Sequence, residues 1–230
     1  MIMPGMMFGP GFGLLILGVI IAGLAQLWVK STFGRFSNVR ANRGVTADRV
    51  ARKLLDLHGL TSVDIRPVGG HLTDHYDPRN KSIGLSESVY GNDSIAAIGV
   101  AAHEVGHAIQ HSTQYSPLAI RNTLVPVVNL TSTMAMPLVI ASIFLQIPAL
   151  LDIGIFLFLG VVVFHLVTLP IEFNASSRAM ALLGNTGTLS AQELNGAGSV
   201  LNAAALTYVA ATVVAVLQLI RLLMIRGSRD

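Results

Sequence analysis

The sequence predicts a mainly α membrane protein, with about four transmembrane helices and an α+β region carrying a short two- or three-stranded sheet. Three observations lead there. Of 230 residues, 52% are hydrophobic and only 12% are charged, which is too apolar for an ordinary soluble domain; the mean hydropathy is +0.64. The apolar residues gather in long runs. The polar ones concentrate between the first two runs, in residues 30–116, where short alternating stretches and helical patterns occur.

Composition also excludes some chemistry. Cysteine is absent, so there are no disulfides or thiolate metal sites, and any metal must be held by histidines and carboxylates. The net charge of +3 is modest, and no basic patch is interleaved with aromatics, so nucleic-acid binding finds no support.

Phe8 to Val29 is an apolar, glycine-rich run of roughly 20 residues, long enough to span a bilayer. Trp28 and Lys30 close it as interfacial residues do. A cleaved signal peptide would need a basic segment before the apolar run, and residues 1–7 have no charged side chain. Thr46 to Gly59 reads as an amphipathic helix. Thr46 is its N-cap, Val50, Leu54, Leu55 and Leu57 form its apolar face, and Gly59 follows its end. His58 reads as a capping or surface histidine. Val63–Val68 alternates as a short strand that Pro67 confines to an edge or an end. Residues 71–80 read as a polar loop, and Lys81–Ser86 as a second short strand, with Ser86 a possible cap for the next helix. His71, Asp74, His75 and Asp77 in that loop raise the question of a second metal site. A polar turn fixed by hydrogen bonds from His75 and Asp77 is the preferred reading. The strand at 81–86 is the expected edge for pairing with an extended peptide.

Ser94 to His111 reads as a buried helix and contains His103-Glu104-x-x-His107. Residues four apart share a helix face, so His103 and His107 can bind one metal ion. Glu104, rotated by about 100°, can reach a water beside that ion. Neutral imidazoles suit Zn²⁺, which lowers the pKa of a bound water toward about 7, and Glu104 is placed to take its proton. The alternative, two surface histidines on an amphipathic helix, fits poorly with a run of alanines, valines and isoleucines around them. His111 shares this face one turn on and reads as a surface residue or a support for the ligands.

Leu118–Ile147 and Ile153–Ile171 form a transmembrane hairpin with an almost uncharged turn. Pro126, Pro137 and Pro170 are tolerable within membrane helices. His165 lies in the second arm and is a functional candidate by virtue of that position. Glu172 follows directly on a continuing helix. Two crossings return it to the side of His103 and His107, which makes it the expected third zinc ligand in a His, His, Glu set. An interfacial glutamate paired with Arg178 is the alternative. Ser190 and Glu193 form a capping box before the last apolar run, Ala203–Ile225.

Three segments together resemble the YugP-like family of neutral zinc metallopeptidases: Ala101-Ala102-His103-Glu104-Val105-Gly106-His107-Ala108-Ile109-Gln110, Asp74-His75-Tyr76-Asp77-Pro78, and Pro170-Ile171-Glu172-Phe173-Asn174-Ala175-Ser176. The resemblance covers most of the chain and implies a membrane-embedded, zinc-dependent peptidase. The layout is also similar to HtpX-type and prenyl-protein-processing membrane proteases. There, too, a membrane hairpin separates the His-Glu-x-x-His helix from a Glu-x-x-Ala ligand helix. Glu172 and Ala175 match that second motif. Ser176 stands where those proteases carry an acidic residue, and Asn174 where an aspartate is expected, so a carboxylate orienting an imidazole is in question.

The expected organisation is an N-terminal transmembrane helix (1–30), a zincin-like catalytic region (31–117), the hairpin (118–171), a third-ligand helix and connection (172–200), and a C-terminal transmembrane helix (201–230). Lys30, Arg35, Arg40, Arg43, Arg49, Arg52 and Lys53 crowd after the first apolar run. The positive-inside rule therefore places the catalytic region in the cytoplasm of a bacterial-type cell. A fourth full span then puts Arg226 and Arg229 outside, against the rule. The expected reaction is hydrolysis of a protein or peptide at a zinc-activated water, with Glu104 as general base. His75, Tyr76, Asp77 and His165 are candidates to orient ligands or to stabilise the developing oxyanion. Two other readings compete. One is a scaffold or chaperone-like membrane factor whose zinc is structural, closed by His71, His75 or Asp77. The other is a transporter, which the scarcity of ionisable residues in the spans disfavours. Nothing in the sequence specifies an oligomeric state.

Overall fold

A computed structural model describes residues 11–228. The start of the first apolar run at Phe8, the uncharged leader before it, and Arg229 lie outside the described residues. The elements, in order, are α1 (Phe12–Ser37), α2 (Ala47–Leu57), β1 (Asp64–Val68), β2 (His75–Asp77), β3 (Ser82–Ser86), α3 (Ile95–Ser112), α4 (Ser116–Leu145), α5 (Pro148–Asn185) and α6 (Ala191–Gly227). They belong to two compact units. One comprises residues 11–26, 120–169 and 207–228, the other residues 27–119 and 170–206.

The first unit is built from apolar helix. Among the described residues four helices, α1, α4, α5 and α6, are long and apolar enough to cross a membrane. Their outward residues are apolar too: Phe144 is 80% exposed, Phe156 75% and Val19 65%. Inside the unit, α4 and α5 pack closely, because Gly154 lies where a Cβ would stand 2.8 Å from Val139 Cγ2 and 3.1 Å from the Ala135 carbonyl. Val139, Leu151 and Leu222 form a small buried cluster. α6 runs as one helix of 37 residues, and its Arg226 pairs with Asp152 beside the hairpin turn at 2.6 Å. A carboxylate at the same end of the unit thus offsets the basic charge there.

The second unit is α+β. Its sheet has the order β1-β3-β2, with β3 parallel to β1 and antiparallel to β2. This corrects the expectation for residues 81–86. β3 is the central strand, paired on both sides and buried throughout, so it offers no edge to a peptide. Its run Ile83-Gly84-Leu85 is short enough to read as an exposed strand, yet it carries the middle of the core. The free edges belong to β1, as Pro67 requires, and to β2. The sequence pattern reads β2 as loop, because three polar residues show no strand periodicity. Leu54 and Leu55 of α2, Ile83 and Leu85 of β3, Ile98, Ala101 and Val105 of α3, and Ala179 and Leu183 of α5 share one core.

Local signals set the helix ends. Gly59 takes φ +71°, Leu60 N–H donates to the Leu55 carbonyl at 2.9 Å, and His58 Nδ1 caps the Leu54 carbonyl at 2.9 Å. Thr46 holds the N-cap position of α2 without a side-chain bond. Ser94, not Ser86, caps α3, its Oγ accepting from Ala97 N–H at 3.2 Å. Ser190 and Glu193 make the expected box: Glu193 Oε2 accepts from Ser190 N–H at 2.7 Å, and Ser190 Oγ accepts from Glu193 N–H at 3.4 Å.

Candidate metal centre

The site lies wholly in the second unit, where α3 packs against the stretch of α5 that follows Pro170. Gly106 makes that approach possible, since a Cβ there would stand 2.6 Å from the Ala175 carbonyl oxygen. Three donor atoms converge at this crossing. His103 Nε2 and His107 Nε2 are 3.1 Å apart, and Glu172 Oε2 is 3.3 Å from the first and 3.6 Å from the second. A tetrahedral zinc with bonds of about 2.0–2.1 Å has ligand–ligand edges of roughly 3.3–3.4 Å, so the three fit one ion. Glu172 is 3% exposed, and its Oε2 makes no hydrogen bond among the described residues. A buried carboxylate oxygen without a donor is costly unless a cation takes that place. Among the described residues this is the one group of three such ligands.

The far side of each imidazole is also held. His103 Nδ1 meets Ser176 Oγ at 3.1 Å, and His107 Nδ1 meets Gln110 Oε1 at 3.0 Å. Gln110 is itself anchored on the Ile171 carbonyl and Asn174 Oδ1. Both partners are neutral oxygens. Gln110 was not singled out from the sequence, and Ser176 only as standing where an acidic residue was expected. Gln110 lies three residues after His107 and Ser176 four after Glu172, the helical spacings that would have flagged them.

Glu104 is 6% exposed. Burial raises its pKa above the usual glutamate value; His107 and His103 oppose the shift, and Glu172 and Asp74 add to it. Burial lowers the pKa of His107, but the adjoining Glu172 carboxylate, which favours the charged imidazole, and the Glu104 charge outweigh it, so the net shift is upward. A metal competes with a proton for this imidazole. Zinc affinity is therefore expected to fall as pH drops through that raised pKa, by about tenfold per pH unit for one displaced proton. Chelator competition between roughly pH 8 and 6 measures this, and a flat profile would contradict it.

The remaining candidates separate. Tyr76 on β2 reaches α3, its hydroxyl 2.8 Å from His111 Nδ1, and burial raises its pKa. His111, read from the sequence as a surface residue or a support for the ligands, thus joins the sheet to the motif helix. His75 bonds the Thr73 carbonyl at 2.9 Å and lies across Gly84, its partner in the sheet. Asp77 accepts from Arg79 N–H and Asn80 Nδ2 within its own turn. Asp74 accepts from Ser86 N–H and Oγ, and His71 packs edge-on against Phe33. Hydrogen bonds of His75, Asp74 and Asp77 thus hold this loop. His165 lies in the apolar unit with its ring against Phe164.

A His-Glu-x-x-His helix completed by a buried glutamate from a second helix defines a zinc-hydrolase type of centre. Residues 12–227 match the family described as "Putative neutral zinc metallopeptidase", and the chain belongs to that family. It is 48% identical over 201 residues, 87% of this chain and 89% of the relative, to the protein named "Putative membrane protease YugP" of Bacillus subtilis (strain 168). No solved structure matches the chain. Zinc is the cofactor, and His103, His107 and Glu172 are positioned to bind it.

Proposed function

We propose that the chain is a membrane-embedded zinc endopeptidase whose zinc is held by His103, His107 and Glu172 and whose general base is Glu104. The observation that carries this is the triangle of donor atoms at 3.1, 3.3 and 3.6 Å, with the buried Glu104 carboxyl next along the helix. Zinc, when bound, lowers the pKa of a water and polarises the scissile carbonyl. Glu104 accepts the proton of the attacking water on its carboxylate and passes it to the leaving amine. Its upward-shifted pKa suits a group that must both take and give that proton. Ser176 and Gln110 hold the two imidazole rings so that both Nε2 atoms face Glu172.

The substrate is a protein or peptide, and its extended backbone pairs with the free edge of β2 (His75–Asp77), which Tyr76 ties to α3. The four apolar helices lie in a lipid bilayer. The basic residues Lys30, Arg35, Arg40, Arg43, Arg49, Arg52 and Lys53 support a cytoplasmic catalytic unit. A structural, closed zinc site would need a fourth protein ligand. His71, His75 and Asp77 each have another partner, which favours an open, catalytic site.

The test uses full-length protein in detergent, with zinc content and cleavage of a generic unfolded protein as readouts. Glu172→Ala is expected to lose both zinc and cleavage. Stoichiometric zinc in Glu172→Ala would remove Glu172 from the site. Wild type that holds zinc but binds no hydroxamate would point to the closed, structural reading.

A further inference from the structure

The hydrogen-bond chain behind His107 has a direction, and two groups set it: Arg178, which can only donate, and the Ile171 carbonyl, which can only accept. Arg178 Nε can only donate, and it donates to Asn174 Oδ1 at 2.8 Å. That places the Asn174 oxygen, rather than its amide nitrogen, toward Gln110. Gln110 must then present Nε2, which donates to Asn174 Oδ1 at 3.0 Å and to the Ile171 carbonyl at 2.8 Å. Its Oε1 is left facing His107 Nδ1 at 3.0 Å and can only accept there. His107 therefore carries its hydrogen on Nδ1 and offers the Nε2 lone pair toward Glu172 and His103. Gln110 is fully buried (0% exposed), so no solvent can replace a lost link. Ile171, Asn174 and Arg178 fall on one face of α5, the helix that also supplies Glu172. His103 has no such control, because the Ser176 hydroxyl can donate or accept.

We propose that Arg178, Asn174 and Gln110 are positioning residues that together select the metal-binding tautomer of His107, and that a neutral glutamine is required at position 110. This rests on the reading of His103, His107 and Glu172 as zinc ligands. It reverses the usual expectation. A glutamate behind an imidazole ligand ordinarily strengthens it. Here the second oxygen of a glutamate would face two acceptors, the Ile171 carbonyl and Asn174 Oδ1, with no hydrogen between them.

The experiment measures zinc affinity by chelator competition, and the ¹⁵N shifts of the His107 ring, in full-length protein in detergent. Neutral His107 in the metal-free wild type is expected in the Nδ1–H form. Gln110→Glu is expected to lose about 10–100-fold in zinc affinity, with the His107 tautomer no longer fixed; Asn174→Leu removes one of the two acceptors of Gln110 Nε2 and is expected to lose less, because the Ile171 carbonyl remains. Asn174→Asp keeps an acceptor for both Arg178 and Gln110 and is expected to stay close to wild type in both readouts. The relay is overturned by a wild type whose His107 is in the Nε2–H form, or by Gln110→Glu binding zinc as tightly as wild type. Failure of Asn174→Asp to rescue also overturns it, by reducing the effect to packing. A wild type that binds no zinc overturns the ligand set, and the relay with it.

Discussion

Glu104→Gln is expected to keep zinc at wild-type stoichiometry and to lose peptide hydrolysis by about 10²–10⁴-fold. The change is nearly isosteric, so the packing of α3 is preserved. Glu104 sits beside the donor triangle without belonging to it, so the ion loses no ligand. What disappears is the group that takes and returns a proton. The loss should therefore fall on kcat, with KM little changed, because an interaction used in the transition state has been removed. Single-turnover cleavage with zinc measured on the same sample separates the two effects. Equal activity in Glu104→Gln would exclude Glu104 as the base, and loss of zinc would make it a ligand.

Gly106→Ala is expected to abolish high-affinity zinc binding, although the mutation adds one methyl group to a residue that binds nothing. The added Cβ would stand 2.6 Å from the Ala175 carbonyl oxygen and 3.1 Å from its Cα. An ordinary carbon–oxygen contact needs about 3.3 Å or more. The neighbour is backbone, so it cannot rotate away, and α3 and α5 must separate by more than half an ångström (~0.7 Å from the same contact distance). Zinc ligands tolerate only about 0.2 Å, and the triangle draws two corners from α3 and one from α5. Overpacking of this kind also costs about 1–3 kcal/mol of stability. Gly184→Ala is the control. It lies on the same helix α5, and its Cβ meets only the flexible Leu194 Cδ1 at 3.4 Å, so zinc and folding should persist. Zinc titration and thermal melting of both variants check the pair. Tight zinc binding by Gly106→Ala would show that the α3–α5 spacing does not control the site.

The legible parts of the site were those encoded locally. His103 and His107 are one helical turn apart, so any helix through them builds two corners of the triangle. Glu172 was reachable by one further step, that a hairpin crosses a membrane twice. Gln110 escaped because its role depends on Asn174, 64 residues away in the chain. β3 was misplaced for a similar reason. Alternation identifies a strand, but whether it lies at the edge or the centre depends on the strands that later pair with it.

Composition and periodicity by themselves determined that four long apolar helices and a polar α+β part share this chain, and that a metal would be held by histidines and carboxylates. These come from properties of single residues and near neighbours: hydropathy, helical spacing, capping preference and the absence of cysteine. Only the tertiary structure decided that β3 is central, that Tyr76 meets His111, and that Asp152 offsets Arg226. It also decided that Gly106 brings α3 and α5 within reach of one ion, and that Arg178 and the Ile171 carbonyl set the direction of the bonds behind His107. Each of these is a contact between segments distant in sequence, whose energy depends on distance and hydrogen-bond direction that no local pattern carries.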